Sequence, residues 1–379
     1  MYEKGRAWIE LNLDSLKSNL SQLQAILPSS CALMPAVKAN AYGHGAIPIA
    51  RTLSQQNITH FCVASAEEGI QLREAGIPGE ILVLGYTHPE QFEELYHYHL
   101  TQTVVDASYG LEISRFGKEL SVHVGIDTGM RRLGERSENL DRILSIWNLP
   151  HLKITGLFSH LCVPDSPKEA DILFTHRQIQ RFQTVARCIR GKSNRPFACH
   201  LQGSYGILNY PHLSFDYARP GLALYGALSQ PDDHTLAPFS PRPVLSLKAR
   251  VESLKSLHAG ESAGYGLAYT AKQETTLAVV SIGYADGIPR ELSGKGSALI
   301  RGKTAPIVGR ICMDQLLLDV SLIPKAVPGD EAVFIGTSGG KAITAAQVAE
   351  KAGTISNEIL SRLGSRLPRT ITCHNCPNA

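Results

Sequence analysis

Five side chains stand where apolar runs of the chain give out. Lys38 follows the run 32–37, Arg132 lies a turn past 122–126, His160 follows 154–158, and Ser204 follows 197–201. Arg219 lies inside 217–224, ahead of Pro220 and Gly221. A lysine at such an edge is partly desolvated, loses its proton more readily than in water, and suits a Schiff base with a carbonyl compound. A serine hydroxyl and the backbone N–H groups at Gly221 and Leu222 can cradle phosphate oxygens. Taken singly, each residue reads as an ordinary end-of-strand or core residue. Several on one predicted rim make a candidate site.

Such a set needs elements whose ends converge. Eight short apolar runs, 32–37, 60–64, 81–84, 103–105, 122–126, 154–158, 197–201 and 217–224, alternate with amphipathic segments. Short apolar runs bounded by turn residues read as buried parallel strands. Between them lie helix patterns such as 14–27, with Asp14 or Ser15 as N-cap, and 65–75, which opens on SAEE. Eight alternations predict an α/β fold, a (β/α)8 TIM barrel with its active site on the face where the strands end. Past Pro238, Pro241 and Pro243 the pattern changes. Strand-like segments at 245–257, 276–282, 297–300, 305–308, 315–320 and 331–335 are separated by Gly/Pro turns, and a helix over 344–362 breaks near Gly353. The chain therefore divides into a barrel over 1–238 and a mostly β C-terminal domain over 239–379.

Of 379 residues, 43% are hydrophobic and 19% charged, and the net charge is +3. Neither nucleic acid nor an anionic membrane surface is an implied partner. No apolar stretch is long enough to span a bilayer, and residues 1–10 lack the apolar core of a signal peptide. Most of the eight cysteines sit in apolar runs, as in a reducing compartment. Cys373 and Cys376 form a lone CxxC in a polar tail; a zinc site would want a second pair, and no other cluster has metal-ligand spacing. Asn57-Ile58-Thr59 matches a glycosylation sequon with no secretion signal to support it.

Seven segments, in order, resemble the motifs of bacterial alanine racemases: AVKANAYGHG (36–45), IDTGMRRLG (126–134), GLFSHL (156–161), ARPGLALYG (218–226), SAGYG (262–266), SIGYADG (281–287) and GRICMDQ (309–315). The likeness runs from about Trp8 to Arg369. That family's fold, a (β/α)8 barrel followed by a β domain, agrees with the pattern reading. The resemblance implies pyridoxal 5'-phosphate as cofactor and racemisation of a small amino acid by two bases. Lys38 would hold the cofactor and act as one acid/base. Tyr265 would be the second, reaching the opposite face of Cα from the partner subunit of a homodimer. Tyrosine, with an unperturbed pKa of about 10, needs a cationic, hydrogen-bonded setting for that work. His160, backed by Arg219, would supply it. Arg219 would also face the pyridine nitrogen and, being unable to give up its proton, keep that nitrogen unprotonated. Tyr42, Ser204, Gly221 and Leu222 would hold the phosphate. Arg132 would contact the phenolic oxygen and the substrate carboxylate, and the Met313 N–H the same carboxylate. Tyr284 and Asp314 would line the entrance from the partner chain. His44 and His200 are read as supporting residues.

Three departures from the family matter. Gly125 stands where many members carry a lysine, often carbamylated, that pairs with the arginine matching Arg132; a small anion or a water is expected there instead. Arg131 replaces a small residue. Asn357 stands where the family has a tyrosine that closes the pocket over alanine's methyl. Asparagine opens the pocket and offers a polar contact to a hydroxyl, as in the serine racemases of vancomycin resistance. Gln202-Gly203 replaces a small residue and an asparagine beside the phosphate. The resemblance implies a serine/alanine racemase supplying D-amino acid for peptidoglycan precursors, the alternative being an ordinary alanine racemase. Resistance-type members place a membrane domain ahead of this catalytic part; the chain would be that part alone, with 1–5 at the junction, in the cytoplasm. A pyridoxal-phosphate barrel decarboxylase and a non-catalytic carrier are the competing classes.

Overall fold

The computed structural model describes residues 4–372, so the Cys373/Cys376 pair lies outside the described residues. Eight strands form one parallel sheet: Ala32–Leu33, His60–Val63, Glu80–Val83, Thr101–Val104, Leu120–Asp127, Leu152–Phe158, Ala198–His200 and Tyr217–Ala218. The first strand pairs with the eighth. That pairing continues past Leu33 as Met34 N–H donates to Ala218 O and Ala36 N–H to Pro220 O, both at 2.8 Å. On its other side, Val37 N–H donates to Cys62 O and Cys62 N–H to Pro35 O, again at 2.8 Å. These bonds close the sheet into a barrel. The eighth strand is shorter than the apolar pattern over 217–224 predicts. Pro220 has no N–H for a ladder, and Leu222–Tyr225 turn instead as a 3₁₀ segment ending at Gly226 in the left-handed region.

The helix Leu13–Ile26 is capped two or three positions before the expected residues: Asn12 Oδ1 accepts from Ser15 N–H, which satisfies one orphan donor of the first turn. Asn12 also ends a strand, Ala7–Asn12, that does not belong to the barrel. It pairs antiparallel with Leu245–Leu257 and parallel with Arg369–Thr372. A division at 238 thus fails for the first strand. The alternation of Ala7, Ile9 and Leu11 is satisfied by the distant sheet, which period-2 patterning cannot reveal.

In the C-terminal part, Leu245–Leu257, Thr275–Val280, Leu316–Asp319, Lys303–Val308, Ser297–Ile300 and Glu331–Ser338 pair in that order, and the last returns to the first. The closed β unit removes its own edges. The expected long terminal helix is two, Ala345–Ala352 and Ser356–Ser361, separated by Gly353 at φ 74°. Thr344 and Gln347 make a capping box for the first. The second presses on the barrel mouth. A Cβ at Gly43 would lie 2.0 Å from Leu360 O, so only glycine permits this approach. No helix among the described residues is long and apolar enough to cross a membrane.

Candidate functional site

Lys38 opens a turn that no sequence rule foretold. Ala39, Asn40, Ala41 and Tyr42 have φ between 51 and 54°, the left-handed region that costs an L-residue roughly 1–2 kcal/mol. The turn is held from outside. Glu68 accepts from Ala39 N–H at 2.6 Å and Ala64 N–H at 2.7 Å. Asn40 Oδ1 accepts from Ala46 N–H at 2.8 Å. His44 Nδ1 bonds to Ala41 O and Tyr42 O at 3.0 and 2.9 Å, and burial pushes that imidazole down to about 4, so it is neutral at pH 7. Backbone strain persists only where its surroundings over-determine it, and it clusters at functional segments.

One cavity of about 600 Å³ at the strand ends is lined by Lys38, Tyr42, Arg132, His160, Ser204, Arg219, Gly221, Leu222 and Asn357, with Gly125 in its wall. A larger cavity, about 930 Å³ beside His176 and Leu236, contains none of these residues. Burial first, and then the charge of Arg132, hold the Lys38 amine below the ordinary lysine range. Burial pushes Arg219 down to about 10, so it stays cationic at pH 7. Its guanidinium donates to Ser159 O at 2.7 Å, lies 2.5 Å from His200 Nδ1 and 3.4 Å from His160 Nδ1, and covers the Phe158 ring at 5.2 Å. The packed atoms around it, then the charges of Arg219, Arg132 and Lys38, push His160 well below the imidazole range, although its side chain is exposed to the open cavity. It is a neutral hydrogen-bonding group here.

At the other end, Ser204 Oγ accepts from Gly221 N–H at 3.0 Å and Ala223 N–H at 3.2 Å. A Cβ at Gly221 would meet the Tyr42 hydroxyl at 2.6 Å, so the glycine lets that hydroxyl sit against the backbone. Asn357 closes the top. Its Oδ1 accepts from Ser229 Oγ at 3.1 Å, which leaves its amide N–H groups as donors. Arg132 contacts no carboxylate among the described residues; Asp127 is taken by Arg131, 3.1 Å away. Two hydroxyls on a glycine turn, one buried cation and one exposed one, and an amine of lowered pKa fit a flat, phosphorylated carbonyl compound.

Four predicted residues lie elsewhere. Tyr265, Tyr284 and Met313 are 70%, 42% and 53% exposed, and Asp314 pairs with Arg366 at 2.6 Å. None of the four lines the cavity of its own chain. Tyr284 and Met313 share one turn: Tyr284 N–H donates to Cys312 O and Ala285 N–H to Met313 O, both at 3.0 Å. Sequence reasoning missed Glu68, Ser229 and Phe158. Phe158 had a signal in its place in the GLFSHL segment, and Glu68 in the SAEE helix start, but Ser65 makes no side-chain cap and Glu68 instead takes Ala64 N–H and Ala39 N–H.

The family model described as "Alanine racemase, N-terminal domain" matches residues 11–229, and "Alanine racemase, C-terminal domain" matches 244–371. The alanine racemase of Carboxydothermus hydrogenoformans is 39% identical over 96% of this chain and 98% of its own length. The serine/alanine racemase of Enterococcus gallinarum is 40% identical over 97% of this chain, which spans 51% of that relative's length. Among solved structures, the alanine racemase of Bacillus anthracis with bound L-Ala-P superposes with a TM-score of 0.92 at 30% identity, covering 99% of this chain and 96% of that one.

Proposed function

Because the chain belongs to the alanine racemase family, whose members are pyridoxal-phosphate-dependent isomerases, we propose that it interconverts L- and D-serine as well as L- and D-alanine, with Lys38 and Tyr265 as the two bases. When bound, the cofactor supplies an electron sink that acidifies the substrate Cα proton. Tyr42, Ser204 and the backbone at Gly221 and Leu222 would hold its phosphate, and Arg219 would face its ring nitrogen. Arg132 and, from the second copy, the Met313 N–H would hold the substrate carboxylate. Burial and the charge of Arg132 hold the Lys38 pKa below the ordinary lysine range, which favours its amine as a proton acceptor. On the opposite face Tyr265 of a second copy gives Cα a different proton as Lys38 takes one, or the reverse, and His160, whose Nδ1 faces the Arg219 donor, turns its Nε2–H to the tyrosine oxygen. Tyr284 and Asp314 border the entrance. The active form is a homodimer, and its product feeds cell-wall precursors in the cytoplasm.

What supports serine is the polar ceiling of the cavity. The Asn357 amide, steadied by Ser229, can donate to a substrate hydroxyl. A site that hydrogen-bonds a hydroxyl can favour serine, whereas an apolar one separates serine from alanine only weakly. The end-to-end match to the Carboxydothermus alanine racemase favours a second reading, an ordinary alanine racemase. Comparing kcat/KM for L-serine and L-alanine in the wild type and in Asn357→Tyr decides between them. Serine at or above alanine, with selective loss of serine in the variant, supports the first. Alanine dominant in both supports the second.

A further inference from the structure

We propose that Glu80, at the far end of the barrel from the cavity, is the counter-ion of Arg219 and positions it through two intervening imidazoles. Arg219 is 5% exposed. Its polar contacts are His200 Nδ1 at 2.5 Å, Ser159 O at 2.7 Å, Leu201 O at 3.3 Å and His160 Nδ1 at 3.4 Å, and none of them is an anion. A buried cation with no anion is strongly unfavourable, so its compensation has to come from further away.

A line of side chains through the barrel leads to that anion. His200 Nε2 lies 2.8 Å from His123 Nδ1. His123 Nε2 lies 2.9 Å from Glu80 Oε1, at an angle short of a hydrogen bond, and both atoms are buried with no hydrogen-bond partner among the described residues, so each is the group placed to satisfy the other. Both rings are fully buried. Arginine can only donate, so His200 Nδ1 must accept and its proton must sit on Nε2. That proton faces His123 Nδ1, which must accept in turn. The His123 proton is then on Nε2, facing a carboxylate that can only accept. A fixed donor at one end and a fixed acceptor at the other set the sense of all three contacts. Burial and then the charge of Arg219 keep His200 well below the imidazole range, consistent with a neutral ring.

Two packing features are built around this line. Phe158 stacks on His200 with centroids 4.9 Å apart and planes 11° apart. A Cβ at Gly156 would meet the His123 ring at 2.5 Å, so a glycine gives that imidazole its place. Glu80 also faces His60, with Nε2 at 3.8 Å, and His60 Nε2 lies 3.1 Å from the Tyr217 hydroxyl.

The proposal rests on the reading of Arg219 as the residue facing the cofactor ring, but its first test needs no turnover. Nitrogen-15 NMR of the histidine rings in the full chain should show protons on Nε2 of both His123 and His200 at neutral pH. A proton on Nδ1 of either ring, or a cationic ring, would overturn the proposal. In Glu80→Gln, which keeps an acceptor but removes the charge, kcat is expected to fall about tenfold, the size of one charge-assisted hydrogen bond, with KM within twofold. In an Arg219→Lys background the same change should cost less than twofold. An undiminished cost there, or no cost in the wild-type background, would also overturn it. Failure of the racemase reading looks different: Cα protons would not exchange with solvent deuterium, whatever the tautomers.

Discussion

Glu68 touches no part of the cavity, yet it should set how well the cofactor binds. Its two carboxylate oxygens each take one backbone N–H, Ala39 at 2.6 Å and Ala64 at 2.7 Å, and so tie the left-handed turn behind Lys38 to the next strand end. Four left-handed L-residues at roughly 1–2 kcal/mol each amount to about 4–8 kcal/mol of local strain. Hydrogen bonds to a charged group contribute about 1.5–3 kcal/mol each. In Glu68→Gln one oxygen remains, and the other position becomes a donor opposed to a backbone N–H. The turn should therefore lose about 1.5–3 kcal/mol of preference, a factor of roughly 10–100 in its equilibrium with relaxed forms.

Two measurements read that factor independently. Titrating apo-protein with pyridoxal phosphate, followed by the visible absorbance of the complex, should give a Kd at least about tenfold weaker than wild type. Amide exchange at Gly43 and Gly45, whose N–H groups close the turn onto Ala39 O and Asn40 O, should speed up by a similar factor. The overall fold should survive, because Glu68 is only half-buried. Unchanged exchange at both glycines together with a Kd within twofold of wild type would refute the claim that Glu68 holds this strain.

Three further outcomes are expected. Burial raises the Glu10 carboxyl, but Lys248, Trp8 and Lys4 outweigh it and bring it down to about 2 from 4.5; its stabilisation is therefore full above pH 4.5 and lost as the pH falls through 2, so urea unfolding of Glu10→Gln should show a deficit at neutral pH that vanishes at the acid end. A small anion should sit by Arg132 where Gly125 leaves the wall bare, seen as anomalous density in a holoprotein crystal grown with bromide; no such density, or a protein carboxylate in that place, removes the idea. Mixing Lys38→Ala and Tyr265→Phe chains after co-refolding should restore about one quarter of wild-type activity, since half the dimers are mixed and each has one intact site; no recovery means that each site is built within one chain.

The barrel was legible because its strands are buried on both faces and read as unbroken apolar runs. Where the reading slipped, the chain had satisfied a local pattern with a distant partner. Ala7–Asn12 alternates like any strand, but its partner sheet begins over 230 residues later. The eighth run kept its apolar character through Leu224 after the ladder had ended, because Leu222 and Leu224 are buried by a 3₁₀ turn just as they would be by a strand. Apolar content reports burial, and the hydrogen-bonding state has to be inferred from proline and glycine.

The site divides in the same way. Lys38, His160 and Ser204 could be placed because each follows a strand, and a barrel brings strand ends together. Ser229 could not, since it acts on an amide far off in sequence and needs only to be polar there, and Glu68 was legible only as a helix-start residue of SAEE, its bond to Ala39 N–H coming from a turn 29 residues away. Tyr265 and Tyr284 are the sharpest case. Motif order singles them out, while nothing in the periodicity of one chain says what they face. In the fold they stand with Leu267 and Met313 as large exposed side chains. Scattered apolar exposure needs no explanation, and Leu236 and Leu322 are exposed elsewhere, but three of these four lie in motifs that the cavity lacks. The proposed homodimer would cover two tyrosines, a leucine and a methionine that one chain leaves in water, and would bring Tyr265 to a cavity that its own chain does not give it.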